Sequence, residues 1–78
     1  MENQEYRTKD LYLASYLQLK GFEITKLEKN DKRFTFIFGD SDDMHPYIEE
    51  FYARKAQVEP MEYSLAMKQV KSKLYNFT

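Results

Sequence analysis

The sequence predicts a single small α+β domain in the order helix, β-hairpin, helix, helix (αββαα). Three observations predict it. A mostly apolar segment lies between the capping residue Asp10 and Gly21, two strand-forming runs flank Asn30-Asp31, and a three-and-four-residue apolar spacing follows Glu59-Pro60. The first and third are helix signals with their own start and stop residues, and the second is a hairpin signal.

Residues 1–7 read as a flexible N-terminal arm, and residues 8–78 as the domain. The first helix starts near Thr8 or Asp10, both good N-caps, and ends at Lys20 with Gly21 as its C-terminal cap. Its polar strip is narrow. Ser15 and Gln18 lie on one side, while Tyr12, Leu13, Ala14, Tyr16, Leu17 and Leu19 cover most of the rest. A surface helix needs an apolar stripe of only about 100°. This one must therefore be covered on more than one side, by its own domain or by a partner.

Phe22 to Lys29 and Lys32 to Phe38 read as two strands joined by Asn30-Asp31, residue types that tolerate the positive φ of a tight turn. That loop pairs Leu27 with Phe34, Thr25 with Phe36 and Glu23 with Phe38. On the other face Ile24 meets Ile37 and Glu28 meets Arg33. Leu27, Phe34, Phe36 and Phe38 then share one face, and Phe22, Ile24 and Ile37 the other. A hairpin apolar on both faces needs cover on both. Residues 39–43 form a loop. A second helix starts between Asp43 and Pro46 and runs to about Lys55, helped by proline in its first turn. Residues 56–58 are extended. The third helix runs from Glu59-Pro60 to about Asn76 with the stripe Tyr63, Ala66/Met67, Val70, Leu74, Phe77. Leu17, Phe36, Phe51, Tyr63 and Val70 lie on the apolar lines of their elements and are expected to be buried together.

The 78 residues hold 7 Tyr and 6 Phe, enough to fill one small core. Twelve basic side chains nearly balance thirteen acidic ones, for a net charge of −1, which argues against broad charge-driven binding of nucleic acid. The absence of cysteine excludes disulfides, thiolate metal sites and thiol nucleophiles. Two glycines leave no phosphate-cradling loop. The polar start Met1-Glu2-Asn3-Gln4-Glu5 does not read as a signal peptide, and no run approaches the roughly 18 apolar residues of a spanning helix. A cytoplasmic location, with no membrane contact, is the expectation.

Four features bear on chemistry. Asp40, Asp42 and Asp43, with Glu49 and Glu50 beyond, resemble an acidic calcium loop only superficially. Counted from Asp40, the sixth position is His45 where an EF-hand needs glycine, and the twelfth is Phe51 where it needs glutamate. These carboxylates read instead as the start of a helix, suited to its positive dipole end. His45, the single histidine, lacks His or Cys at helical spacing and reads as a surface residue. Arg33 to Phe38 alternates aromatics as an RNA-stacking strand does, but lacks the glycine of that motif, so the phenylalanines read as core. The last feature is charge polarity. From Arg54 to Thr78 there are five basic and two acidic residues, whereas residues 40–50 hold five acidic and no basic ones. Arg54, Lys55, Lys68, Lys71, Lys73 and Tyr75 are the candidate binding residues, suited to phosphates or to an acidic partner.

Asp10-Leu11-Tyr12-Leu13, Tyr16-Leu17, Lys20-Gly21-Phe22, the strand Lys32 to Phe38, Val58-Glu59-Pro60, Lys68, Lys71-Ser72 and Leu74-Tyr75 together resemble a small uncharacterised domain family of bacteria, phages and mobile elements. The resemblance covers about residues 8–76. It implies no catalytic residue. It implies an accessory protein that acts by binding, such as an inhibitor of host defence or a replication accessory.

These readings converge on a small non-enzymatic binding module that acts through protein–protein contact. The surplus of apolar surface suggests a homodimer, with Tyr12, Tyr16, Leu19, Phe22, Ile24 and Ile37 as candidate interface residues. The alternative is a nucleic-acid-binding accessory protein that uses the basic C-terminal helix. No nucleophile, metal cluster or cofactor loop supports an enzyme.

Overall fold

A computed structural model describes residues 4–39 and 41–76. The α+β class and the helix–hairpin–helix–helix order both hold. The elements are β1 (Glu5–Thr8), α1 (Leu11–Leu19), β2 (Ile24–Asn30), β3 (Arg33–Gly39), α2 (His45–Tyr52) and α3 (Pro60–Tyr75).

The first difference lies at the N-terminus. Residues 5–7 of the expected arm form a strand together with Thr8, antiparallel to β3, with Tyr6 opposite Phe38 and Thr8 opposite Phe36; residues 1–3 lie outside the described residues. The sheet order is β1-β3-β2, so the hairpin is completed from within the chain. Tyr6 joins the apolar face because its neighbour on β3 is a core phenylalanine. The outward Arg7 guanidinium forms an ion pair with Glu28 on β2 at 2.8 Å. Since β3 lies between those two strands, the pair spans the sheet, and its geometry holds the Arg7 proton more firmly than usual, first through the hydrogen bond to Glu28.

The hairpin turn is Asp31-Lys32 rather than Asn30-Asp31. Asn30 pairs with Arg33, Glu28 with Thr35 and Leu27 with Phe36. Asp31 has φ 57°, a left-handed value that aspartate tolerates. The register therefore slips by two residues from the expected one. Such a slip leaves every side chain on its expected face, whereas a slip of one would invert them all. An irregularity between Ile24 and Lys26 changes the faces further along. A bulge inserts one unpaired residue and flips the alternation beyond it. Ile24 and Phe22 thereby join Leu27, Phe36 and Phe38 against the core, not the opposite face with Ile37.

α1 is the central element. The Asp10 carboxylate accepts from the Tyr12 and Leu13 amides at its start. At its end the Gly21 and Phe22 amides donate to Gln18 and Leu17, the double hydrogen bond of a Schellman cap, with Gly21 at φ +101°. Leu13, Ala14, Ser15, Tyr16 and Leu17 are all buried. The expected cover on several sides comes from the chain's own sheet, α2 and α3. Buried Ser15 donates to the Leu11 carbonyl at 2.8 Å, so its hydroxyl carries no unpaired penalty.

The core joins Leu13, Ala14 and Leu17 to Phe36, Phe38, Met44 and Val70. Of the five residues expected to be buried together, Leu17, Phe36 and Val70 are in this cluster. Phe51 packs on its border half-buried, and Tyr63 is half-buried beside α1; Phe77 lies outside the described residues. α2 ends at Tyr52, short of Lys55. Its C-terminal cap is a second Schellman motif, in which Arg54 takes φ 63° and the Arg54 and Lys55 amides donate to Phe51 and Glu50.

Candidate functional site

Glu59 starts α3 by accepting from the Met61 and Glu62 amides at 3.1 and 2.9 Å, and Pro60 occupies the first turn, where its missing N–H costs nothing. One side of the helix then meets α1. Ala66 and Val70 are buried there, with Tyr63, Met67 and Leu74 half-buried around them.

The opposite side carries a second, outward stripe. Met61, Leu65, Lys68, Ser72 and Tyr75 follow one another at steps of four and three. At about 100° per residue they occupy a strip roughly 80° wide. Met61 is 69% exposed, Leu65 55% and Tyr75 85%. Sequence reasoning placed Lys68 and Tyr75 here but missed Met61 and Leu65. The four-and-three step was the available signal, overshadowed by the stronger apolar line on the buried side.

The six candidate binding residues do not form one patch. Lys68, Lys71 and Tyr75 share the outward side of α3. Lys73 points roughly 140° away from Lys68 around the helix and lines a cleft of about 690 Å³ with Gln18, Phe22, Glu23 and Gln69. Arg54 and Lys55 cap α2 before α3 begins, and Lys71 lies about 16 Å along the helix from Pro60.

The six candidate interface residues are mostly used inside the chain. Tyr16 and Ile37 are buried. The Tyr16 ring lies 5.7 Å from Phe51 and 6.3 Å from Tyr47, and its hydroxyl donates to Glu50 at 3.3 Å. Burial, reinforced by the Glu50 charge, pushes its phenol pKa above the ordinary value. The Lys20 ammonium sits over both the Tyr16 and Tyr47 rings. Phe22 meets Tyr47, and Ile24 borders the core. Leu19 is half-buried beside Leu65, and only Tyr12, at 58%, is open. The apolar surplus that suggested a homodimer is thus largely internal, because the bulge and α2 cover faces that a flat hairpin would leave bare.

Phe36 and Phe38 face the core rather than forming a stacking platform. Asp40 lies outside the described residues. The N-cap of α2 is Met44, with no side-chain cap hydrogen bond, so Asp42 and Asp43 lie just before the helix without capping it. His45 is exposed, with its ring edge-on to Tyr6. Among the described residues no cluster of His, Asp and Glu could hold a metal ion, and no helix is long and apolar enough to cross a membrane.

These features define a class: a small α+β domain whose three-stranded sheet and central helix are sealed by two further helices, the last presenting a cationic and apolar outward face. Residues 3–76 match the family described as a domain of unknown function (DUF5659), and the chain belongs to that family. No curated protein and no solved structure matches the chain.

Proposed function

We propose that this domain is a non-enzymatic binding module that acts by protein–protein contact through the outward face of α3. One observation carries the reading: Met61, Leu65 and Tyr75 are more than half exposed and fall on a single stripe. Single exposed apolar residues are ordinary on a protein surface, whereas an aligned set marks a place for a partner. The resemblance to a family of bacteria, phages and mobile elements supports a more specific role. In that role the domain is a cytoplasmic accessory protein of a phage or mobile element that engages host machinery, including defence.

A photo-crosslinking amino acid in place of Tyr75, in cells that naturally make the protein, tests the reading. Discrete protein adducts are expected that disappear with Leu65→Glu and are not produced from the same amino acid at Lys32. Crosslinks to nucleic acid alone would replace this reading with the alternative one, in which Lys68, Lys71 and Tyr75 grip a phosphate backbone. Absence of any α3 adduct would overturn both.

A further inference from the structure

We infer that the segment received by α3 is an acidic amphipathic helix laid along Met61, Leu65, Lys68, Ser72 and Tyr75. This rests on the reading of that face as a protein contact. The four-and-three step keeps the stripe on one side of the helix for about 21 Å, from Met61 to Tyr75. That is the pattern one helix offers another, with side chains entering holes at alternating positions. An extended peptide, advancing more than twice as far per residue, would not follow it.

Charge selects the partner. Lys68 is at the centre of the stripe and Lys71 on its flank, and both are exposed. The other outward residues, Ser64 and Ser72, are neutral. The one acid on the helix, Glu62, flanks the stripe on the other side, where it lines a groove with Leu65 and with Leu19 of α1. The Lys68–Lys71 edge of the outward face is therefore cationic, Glu62 lies beyond the opposite edge, and carboxylates on the partner complete the lysine edge. The Lys68 stem can lie on apolar partner surface while its ammonium reaches an acid at the rim.

Two other occupants fit less well. A second copy paired about a two-fold axis along the whole stripe sets Lys68 against its own mate, in either helix direction, and like charges at that point oppose the pairing. A phosphate backbone would use the two lysines but leave Met61 and Leu65 without a role.

The test uses the intact chain and three labelled probes. One is a four-heptad peptide with leucine at the a and d positions and glutamate at e and g. The second carries lysine at e and g, and the third is an oligothymidylate. Fluorescence anisotropy should show binding of the glutamate peptide and none of the lysine peptide. Leu65→Ser and Lys68→Glu should each weaken it by at least about tenfold, with an unchanged circular dichroism spectrum. Equal binding of both peptides, or of neither, overturns the inference. So does tighter binding of the oligothymidylate that survives Leu65→Ser, which points to nucleic acid. A dimer mass by light scattering that Leu65→Glu returns to 9.5 kDa overturns it in favour of a second copy. If the peptides fail while Tyr75 still crosslinks to protein, the acidic helix falls and the contact face stands.

Discussion

The Tyr63 hydroxyl donates a 2.8 Å hydrogen bond to the main-chain carbonyl of Tyr12, tying the first turn of α3 to the first turn of α1. This bond fixes the rotation of α3 about its own axis. Tyr63 lies on the buried side, so the outward stripe is held to solvent by a contact on the opposite side of the helix. Tyr63→Phe removes the donor and leaves the ring. It should cost about 0.5–1.5 kcal/mol, the net worth of one such bond, read as a lower urea midpoint with an unchanged m-value.

Alkaline pH should destabilise the fold. Burial raises the phenol pKa of both Tyr63 and Tyr16, with the neighbouring Asp10 and Glu50 charges adding to it. A raised folded value means that the native state holds its proton more tightly than the unfolded chain. The stability is then complete below pH about 10 and is lost as pH rises through the folded values. The urea midpoint should fall between pH 8 and a pH above 10, and by less in the Tyr16→Phe/Tyr63→Phe double variant.

Phe36 and Met44 are core positions, one on the sheet and one at the start of α2, whose truncation should be costly. Phe36 is 2% exposed and Met44 is fully buried. Phe36→Ala should cost about 3–5 kcal/mol and Met44→Ala about 2–5 kcal/mol. Each is a large part of the stability of a domain this size, and thermal melts would register both. A melting temperature within a degree or two of the wild type for Phe36→Ala would show the sheet's core face to be wrongly assigned.

The two Schellman caps should respond in opposite directions. Gly21 sits at φ +101° with open space where a Cβ would be, so Gly21→Ala costs backbone strain alone, about 1–2 kcal/mol. Arg54 pays that strain already at φ 63°. Arg54→Gly should be neutral or stabilising by up to about 1 kcal/mol. Chemical denaturation of the pair separates backbone strain from lost side-chain contacts.

A chain beginning at Lys9 loses β1 and bares the β3 backbone from Phe36 to Gly39. Unpaired strand edges recruit other strands. This shortened chain should associate as its concentration rises, as followed by light scattering.

Much of the fold was legible because its signals were local. Asp10, Gly21, Pro60 and the apolar spacing of α3 each act through neighbours a turn away. β1 was not, because four alternating residues, Glu5 to Thr8, make too short a run to distinguish from a loop until β3 is there to pair with. The position of the bulge was equally hidden. Nothing in Glu23-Ile24-Thr25 announces it, and only burial of both Ile24 and Phe22 on one face selects it. Arg54 hid the end of α2, since the left-handed cap position is normally marked by glycine. The candidate site was half legible: the lysines drew attention to α3, while its neutral outward residues, Met61 and Leu65, drew none.

Val70, in the last helix, is fully buried against residues of α1 and β3. During synthesis these partners leave the ribosome first and wait with their apolar faces uncovered. The hairpin can form early, but the core cannot close until the tunnel has released α3 past Val70. Most of the domain, through Val70, must therefore emerge before its core is protected from proteases and chaperones. Until then Leu13 and Leu17 lack the helix that covers them.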